Sequence, residues 1–243
     1  MTAWSRFRRR ALRVAAGAVL LIVAITLALV LPLRWLNPPT TAMIMLDALS
    51  REQPIQQWWL PMEAISPWLA ASIIAAEDQK FPHHRGFDLE QLAAVLGSDG
   101  SPTRGASTLT QQLAKNLYLW RGRSYLRKAL EAWLTLWMEW CWPKQRILEI
   151  YLNVVEFGPG VYGAGAAGER LLGTSARLLT PHQAAVLAAV LPNPRRMSAA
   201  SPSPYVERRA AQIEEAVTQL GGLAYLRSLQ PLPAATAQHG GRP

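Results

Sequence analysis

The chain has a single cysteine, Cys141, so no disulfide can close within it and its stability rests on other interactions in any redox compartment. One thiol cannot build a thiolate cluster, and there is no H-E-x-x-H, so the adjacent His83 and His84 do not mark a zinc site. Sustained two-residue alternation is missing, as is any internal repeat, which argues against a β-sandwich, a barrel or a solenoid. Acids are scarce too. Sixteen Asp and Glu stand against 25 Lys and Arg, and the net charge of +9 favours an anionic partner: phospholipid headgroups, nucleic acid or a phosphorylated substrate.

Charge is absent altogether from Val14 to Leu33, after five arginines and before Arg34. About 20 apolar residues at 1.5 Å each reach about 30 Å, the hydrocarbon thickness of a bilayer. A signal peptide would carry a shorter apolar region and a small-x-small cleavage site, whereas this run ends in the bulky, Pro-containing "LVLPLRWLNPP". It reads as a retained anchor. The arginines predict a cytoplasmic N-terminus and place the rest of the chain on the outer, ATP-free side. The expected divisions are a basic tail over 1–13, an anchor over 14–33, a linker and membrane-proximal segment over 34–60, one domain over 61–222 and a tail over 223–243.

That domain reads as all-α. Ser66 is placed to cap a helix with Pro67 in its first turn, and Leu69, Ile73 and Ala76 follow at helical spacing. Residues 98–107 read as a loop. A helix with Ser107 as its cap carries an apolar stripe (Leu109, Leu113, Leu117) beside a polar one (Thr108, Gln112, Lys115). The next helix has Leu126, Leu130, Trp133, Leu134 and Trp137 on its apolar side. Further helices follow Pro143 and Thr180, and a last one ends at Gly221 and Gly222. "GPGVYG" has the G-x-G-x-x-G spacing but follows a helix rather than a strand, so it reads as a tight loop and not a dinucleotide site. Trp58, Trp59 and Trp68 are expected at a membrane interface.

Chemistry gathers in three places. Glu77 lies four residues after Ile73 and eight after Leu69, so it shares their inward face at the end of a helix. The helix dipole disfavours negative charge there, which suits an acid that takes up a proton. A helix-end acid paired with an arginine is the plainer alternative. Next, Arg104 and Gly105 lead into a helix whose free N–H groups, with Thr108, Gln112, Lys115 and Asn116, suit a phosphate or sugar hydroxyl; a solvated polar face is the alternative. Third, Arg127 and Glu131 can pair at i,i+4, and Arg127 and Lys128 beside Lys115 would clamp a pyrophosphate.

In order, "EDQKFPHHRGFD", "RGASTLTQQLAKN", "RKALEAWLTL", "KQRILEIYLNVVEFGPGVYGAGAAG" and "LTPHQAAVLAAVLPNP" resemble the five successive motifs of the peptidoglycan glycosyltransferases. That family includes the N-terminal modules of class A penicillin-binding proteins. The likeness spans roughly residues 61–205, and the ending with no S-x-x-K or K-T-G resembles the monofunctional, biosynthetic members. Ala106 departs from the second glycine of many members.

The resemblance implies a lysozyme-like α-helical domain with a smaller membrane-facing lobe, behind a single-pass anchor in a bacterial inner membrane, the catalytic domain being periplasmic. It implies that Glu77 is the general base for attack by the acceptor 4-hydroxyl of lipid II on a lipid-linked glycan, with inversion to β-1,4 and loss of undecaprenyl pyrophosphate. Glu131 matches a second essential acid, which orients cations or holds a divalent metal, Mg2+ or Mn2+. Asp78, Phe81, His84, Gly86, Ser107, Thr108, Gln112, Lys115, Asn116, Arg127 and Lys128 match substrate-binding positions. Expected partners are lipid II, lipid-linked glycan and the bilayer, with no nucleic acid; cell-wall synthesis or division proteins stay unspecified. A lytic muramidase would need no cationic clamp, and a non-catalytic scaffold would not need Glu77 and Glu131.

Overall fold

The computed structural model describes residues 3–50, 54–90, 92–93 and 107–229. Most of the loop read over 98–107, with Arg104, Gly105 and Ala106, lies outside the described residues, as does the tail from Gln230. Helix α1 (Ala3–Val30) runs into a 3-10 turn, Leu31–Arg34. Across the two, Arg10–Arg34 is long and apolar enough to cross a membrane. Its last turns are not a loose tether. The Trp133 indole donates to Thr26 Oγ1 (2.9 Å), the Trp142 indole to the Val30 carbonyl (2.9 Å) and the Tyr118 hydroxyl to the Leu29 carbonyl (3.0 Å). Arg146 donates to the Leu33 and Leu36 carbonyls and to Asn37. Val30 is fully buried in the domain's core.

A short helix, α2 (Ala42–Ala48), interrupts the segment read as linker, because the Thr41 hydroxyl caps it by accepting from Ile44 N–H. Helix α3 (Pro67–Glu77) is apolar all round and buried from Leu69 to Ala75, as expected of a core helix. It packs against α8 (Pro181–Val190) and α9 (Pro204–Gln219). Ser66 does not cap it. The Ser66 hydroxyl donates instead to the Leu179 carbonyl (2.9 Å), stitching the start of α3 to the segment before α8. Helices α4 (Leu109–Tyr118), α5 (Tyr125–Cys141) and α6 (Lys144–Val154) form a second packed group.

Among the described residues the fold is mostly helical, and a short hairpin departs from the all-α reading. "EFGPGVY" closes a two-stranded antiparallel hairpin, β1 (Glu156–Gly158) and β2 (Val161–Tyr162), before α7 (Gly163–Leu172). Strands of three and two residues are too short to show alternation. Gly163 has φ +78°, and a Cβ there would stand 2.5 Å from the Asn153 carbonyl oxygen, so only glycine lets the hairpin turn into α7 against α6.

One other expectation is corrected. The stripe at Leu126, Leu130 and Trp133 is largely exposed, beside α1; the buried face of α5 carries Glu131, Leu134, Thr135, Met138 and Cys141. Trp58, Trp59 and Trp68 are half-buried and pack against the core, and Trp35, Trp133 and Trp140 are exposed indoles near the anchor's end. Gly165 accepts Trp58 at close range, and Arg146 stacks on Trp59, which explains the inward turn.

Candidate active site

Glu77 is the last residue of α3, and its neighbour Asp78 fixes where that end sits. The buried Asp78 carboxylate accepts from Leu109 N–H (2.9 Å), one of the free donors opening α4. It also bonds His84 Nε2 (2.8 Å). His84 Nδ1 accepts from Gly86 N–H (3.1 Å), which puts the imidazole proton on Nε2, toward Asp78. The Gly86 carbonyl accepts from the Thr108 hydroxyl (2.7 Å), and Gly86 has φ +85° with no room for a Cβ beside Thr135. One hydrogen-bonded loop thus clamps the end of α3 to the start of α4.

This corrects one reading. The cap of α4 is Thr108, not Ser107: Thr108 and Gln111 exchange reciprocal side-chain bonds in a capping box. Asp78, Phe81, His84, Gly86 and Thr108, matched to substrate-binding positions, have their polar groups engaged within the protein, or, for Phe81, lie fully buried. Those polar contacts tie the end of α3 to the start of α4.

The clamp brings Glu77 against Gln112 on α4. The Gln112 amide donates to Glu77 Oε2 (2.9 Å) and to the Ser107 carbonyl (3.4 Å), while its Oε1 accepts from the Tyr151 hydroxyl (2.9 Å). Tyr151 is fully buried, and burial, with Glu77 and Asp78 nearby, pushes its hydroxyl well above the ordinary tyrosine range. It therefore stays a proton donor and fixes which end of the amide faces Glu77. Arg209 on α9 stands 3.9 Å from the other Glu77 oxygen, an ion pair without a hydrogen bond. Neither Tyr151 nor Arg209 stood out in the sequence. Tyr151 reads as a core aromatic and Arg209 as one of two adjacent arginines on a surface helix.

Two clefts meet here. A cleft of ≈830 Å³ is lined by Glu77, Asp78, Ser107, Gln112, Lys115 and Arg209, among others. A second, of ≈490 Å³, shares Gln112 and Lys115 and adds Asn116, Arg121, Arg123 and Arg127. Its lining sets four cations, Lys115, Arg121, Arg123 and Arg127, against one carboxylate, Glu156; the first cleft has carboxylates in slight excess. Arg121 and Arg123, either side of Gly122, went unnoticed in the sequence, although two arginines in a turn beside a cationic helix are a readable signal.

Lys115 is held below the ordinary lysine range, first by burial; Glu131 and Glu77 oppose that shift, and Arg127 and Lys128 add to it. Glu131, buried on α5, accepts from Arg127 (2.6 Å) and from Lys128, one on each oxygen. Lys128 also donates to the Ser107 hydroxyl (3.2 Å). Lys128 and Glu131 thus stand behind the clefts and Arg127 in the wall of the second. With a cation on each Glu131 oxygen, the arrangement does not fit a metal ion at that acid.

Residues 45–218 match the family model described as Transglycosylase. The chain is 53% identical over 210 residues to the biosynthetic peptidoglycan transglycosylase of Ectopseudomonas mendocina (strain ymp), covering 84% of this chain and 87% of the relative. It is 49% identical over 226 residues to that of Stutzerimonas stutzeri (strain A1501), covering 88% and 91%. It is 47% identical over 231 residues to that of Xanthomonas campestris pv. campestris (strain B100), covering 92% and 94%.

Proposed function

The chain belongs to the transglycosylase family and is a peptidoglycan glycosyltransferase of cell wall synthesis, and we propose that it polymerises lipid II with Glu77 as general base. The observation that carries this reading is Gln112, which is bonded to Glu77 and lines both clefts. The uncharged acceptor sugar sits in the first cleft and the donor's pyrophosphate in the cationic second one. Glu77 takes the proton from the acceptor 4-hydroxyl as that oxygen attacks C1 of the lipid-linked glycan. The C1–O bond to phosphate breaks, and its electron pair leaves with undecaprenyl pyrophosphate. Attack from the opposite face inverts the centre and gives a β-1,4 bond.

Lys115 and Arg127, with Arg123, stabilise the charge that builds on the leaving pyrophosphate. Glu131 is a positioning residue: it aligns Arg127 and Lys128 and does not itself meet substrate. Ser107 and Asn116 border the two clefts as sugar or phosphate contacts. No step passes through a metal ion. The anchor spans the inner membrane once with its N-terminus in the cytoplasm, so the clefts open on the periplasmic side, where the lipid pyrophosphate itself supplies the energy. The test is purified full-length protein with lipid II in detergent. A lysozyme-sensitive polymer is expected, and its absence would overturn the reading.

A further inference from the structure

Asp47 lies outside the two clefts. It belongs to α2, just after the anchor's linker, and its carboxylate is fully buried. A buried carboxylate must be paired and hydrogen-bonded to be tolerated, and among the described residues three parts of the chain converge on this one. Arg195, from the loop after α8, donates to Oδ1 at 2.6 Å and also reaches Glu156. The Tyr162 hydroxyl, from β2, donates to Oδ2 at 3.0 Å. Arg121, from the loop after α4, reaches Oδ1 at 3.2 Å.

The three donors are not equivalent. Tyr162 is buried, and Arg195 bridges two carboxylates. Arg121 makes the longest of the contacts, its side chain is 43% exposed, and it lines the second cleft with Lys115, Arg123 and Arg127. A guanidinium has five N–H donors in a rigid fork, and one bond to Asp47 leaves the others available to an anion in that cleft. Among the described residues, Asp47 and Glu156 stand against Arg121 and Arg195. Of the hub's members, Arg121, Tyr162 and Glu156 line that cleft, and Arg121 is the cation among them.

We infer that Arg121 is a further binding residue for the polyprenyl pyrophosphate and that Asp47 is the positioning residue that aims it. This rests on the seating of the leaving group in the second cleft. It also gives α2 a role: the segment leaving the membrane reaches under the cleft and sets one of its cations.

The test uses the full-length Glu77→Gln protein in detergent, so that binding is read without turnover, with undecaprenyl pyrophosphate as the probe and inorganic pyrophosphate as competitor. Arg121→Ala is expected to weaken undecaprenyl pyrophosphate about tenfold, as for loss of a charge-assisted bond, and Arg121→Lys to recover part of that. The exposed Arg121 contact carries little stability, so melting should hardly move. Asp47→Asn keeps an oxygen acceptor but loses the charge. It should weaken the probe in the parent and have no further effect once Arg121 is alanine, which marks action through Arg121. Competition by inorganic pyrophosphate should fall in step, because the site reads the phosphates and not the lipid. Arg121→Ala binding within twofold of the parent would overturn the proposal, as would equal Asp47→Asn losses in both backgrounds. A wild-type protein that makes no polymer, yet binds the probe through Arg121, would instead sink the polymerase reading and leave this one standing.

Discussion

Tyr151→Phe is the sharpest probe of how the site is built. The substitution removes one oxygen and keeps the ring, so no cavity opens in the core. It strips the donor from Gln112 Oε1, while the bonds from the Gln112 amide to Glu77 and to the Ser107 carbonyl remain. A neutral buried hydrogen bond contributes about 1 kcal/mol net, and an acceptor left without a partner costs about 1–3 kcal/mol. The Ser107 bond still favours the working orientation of the amide, which puts the expected loss near the lower figure. About 1 kcal/mol corresponds to roughly a fivefold fall in kcat and to a Tm lower by about 2–4 °C for a domain of this size. KM should stay within about twofold, because the fully buried Tyr151 cannot touch substrate. The assay is the initial rate of lipid II consumption across substrate concentrations, beside a melting curve. A lower Tm with kcat unchanged would refute the reasoning, since the tyrosine would then only stabilise the fold.

Other expectations follow from the same geometry. Burial lowers the pKa of Lys115, and its charged form is the active one, so the rate should begin to fall below the ordinary lysine value of 10.5 as pH rises. Lys115→Arg should move that alkaline limb upward, and an unmoved limb would contradict the role. Stability runs the other way: a buried charged lysine costs the fold most below its folded pKa, and the cost is relieved as pH rises toward the unfolded value. Thr26→Val removes the acceptor of the Trp133 indole and should lower Tm in detergent by about 2–4 °C, whereas Thr26→Ser should not; equal melting of all three proteins would mean that the anchor is not docked. Gly163→Ala meets both a positive φ and the Asn153 carbonyl, and should cost at least about 1–3 kcal/mol, read as a large fall in Tm. Normal melting would contradict the packing of the hairpin on α6.

What the sequence shows and what it hides divide along physical lines. Helices α3, α4, α8 and α9 were legible because apolar spacing and turn-setting prolines are local signals, and the pairing of Arg127 with Glu131 follows from helical geometry alone. The cap of α4 was misplaced by one residue although T-x-x-Q at Thr108–Gln111 is itself readable, because Ser107 is an equally good cap former in isolation. The contacts of Asp78 with His84 and Leu109, and of Thr108 with Gly86, were hidden, because a motif match assigns positions and not the bonds that they make within the protein. Tyr151, Arg209 and the Asp47 hub were hidden, since each depends on partners 35 or more positions away. The anchor's docking was hidden for the same reason. A charge-free run predicts a span, but nothing in it predicts that Thr26 and Val30 meet two indoles of the domain.

The central claim is that Glu77 takes the acceptor's proton. Glu77→Gln keeps the side chain's volume and its place at the end of α3 and removes only the base. In full-length protein, the initial rate of polymer formation from lipid II should fall about 10²- to 10⁴-fold, with Tm and the affinity for undecaprenyl pyrophosphate close to those of the parent. Polymerisation by the Glu77→Gln protein at a near-parental rate would contradict the assignment outright.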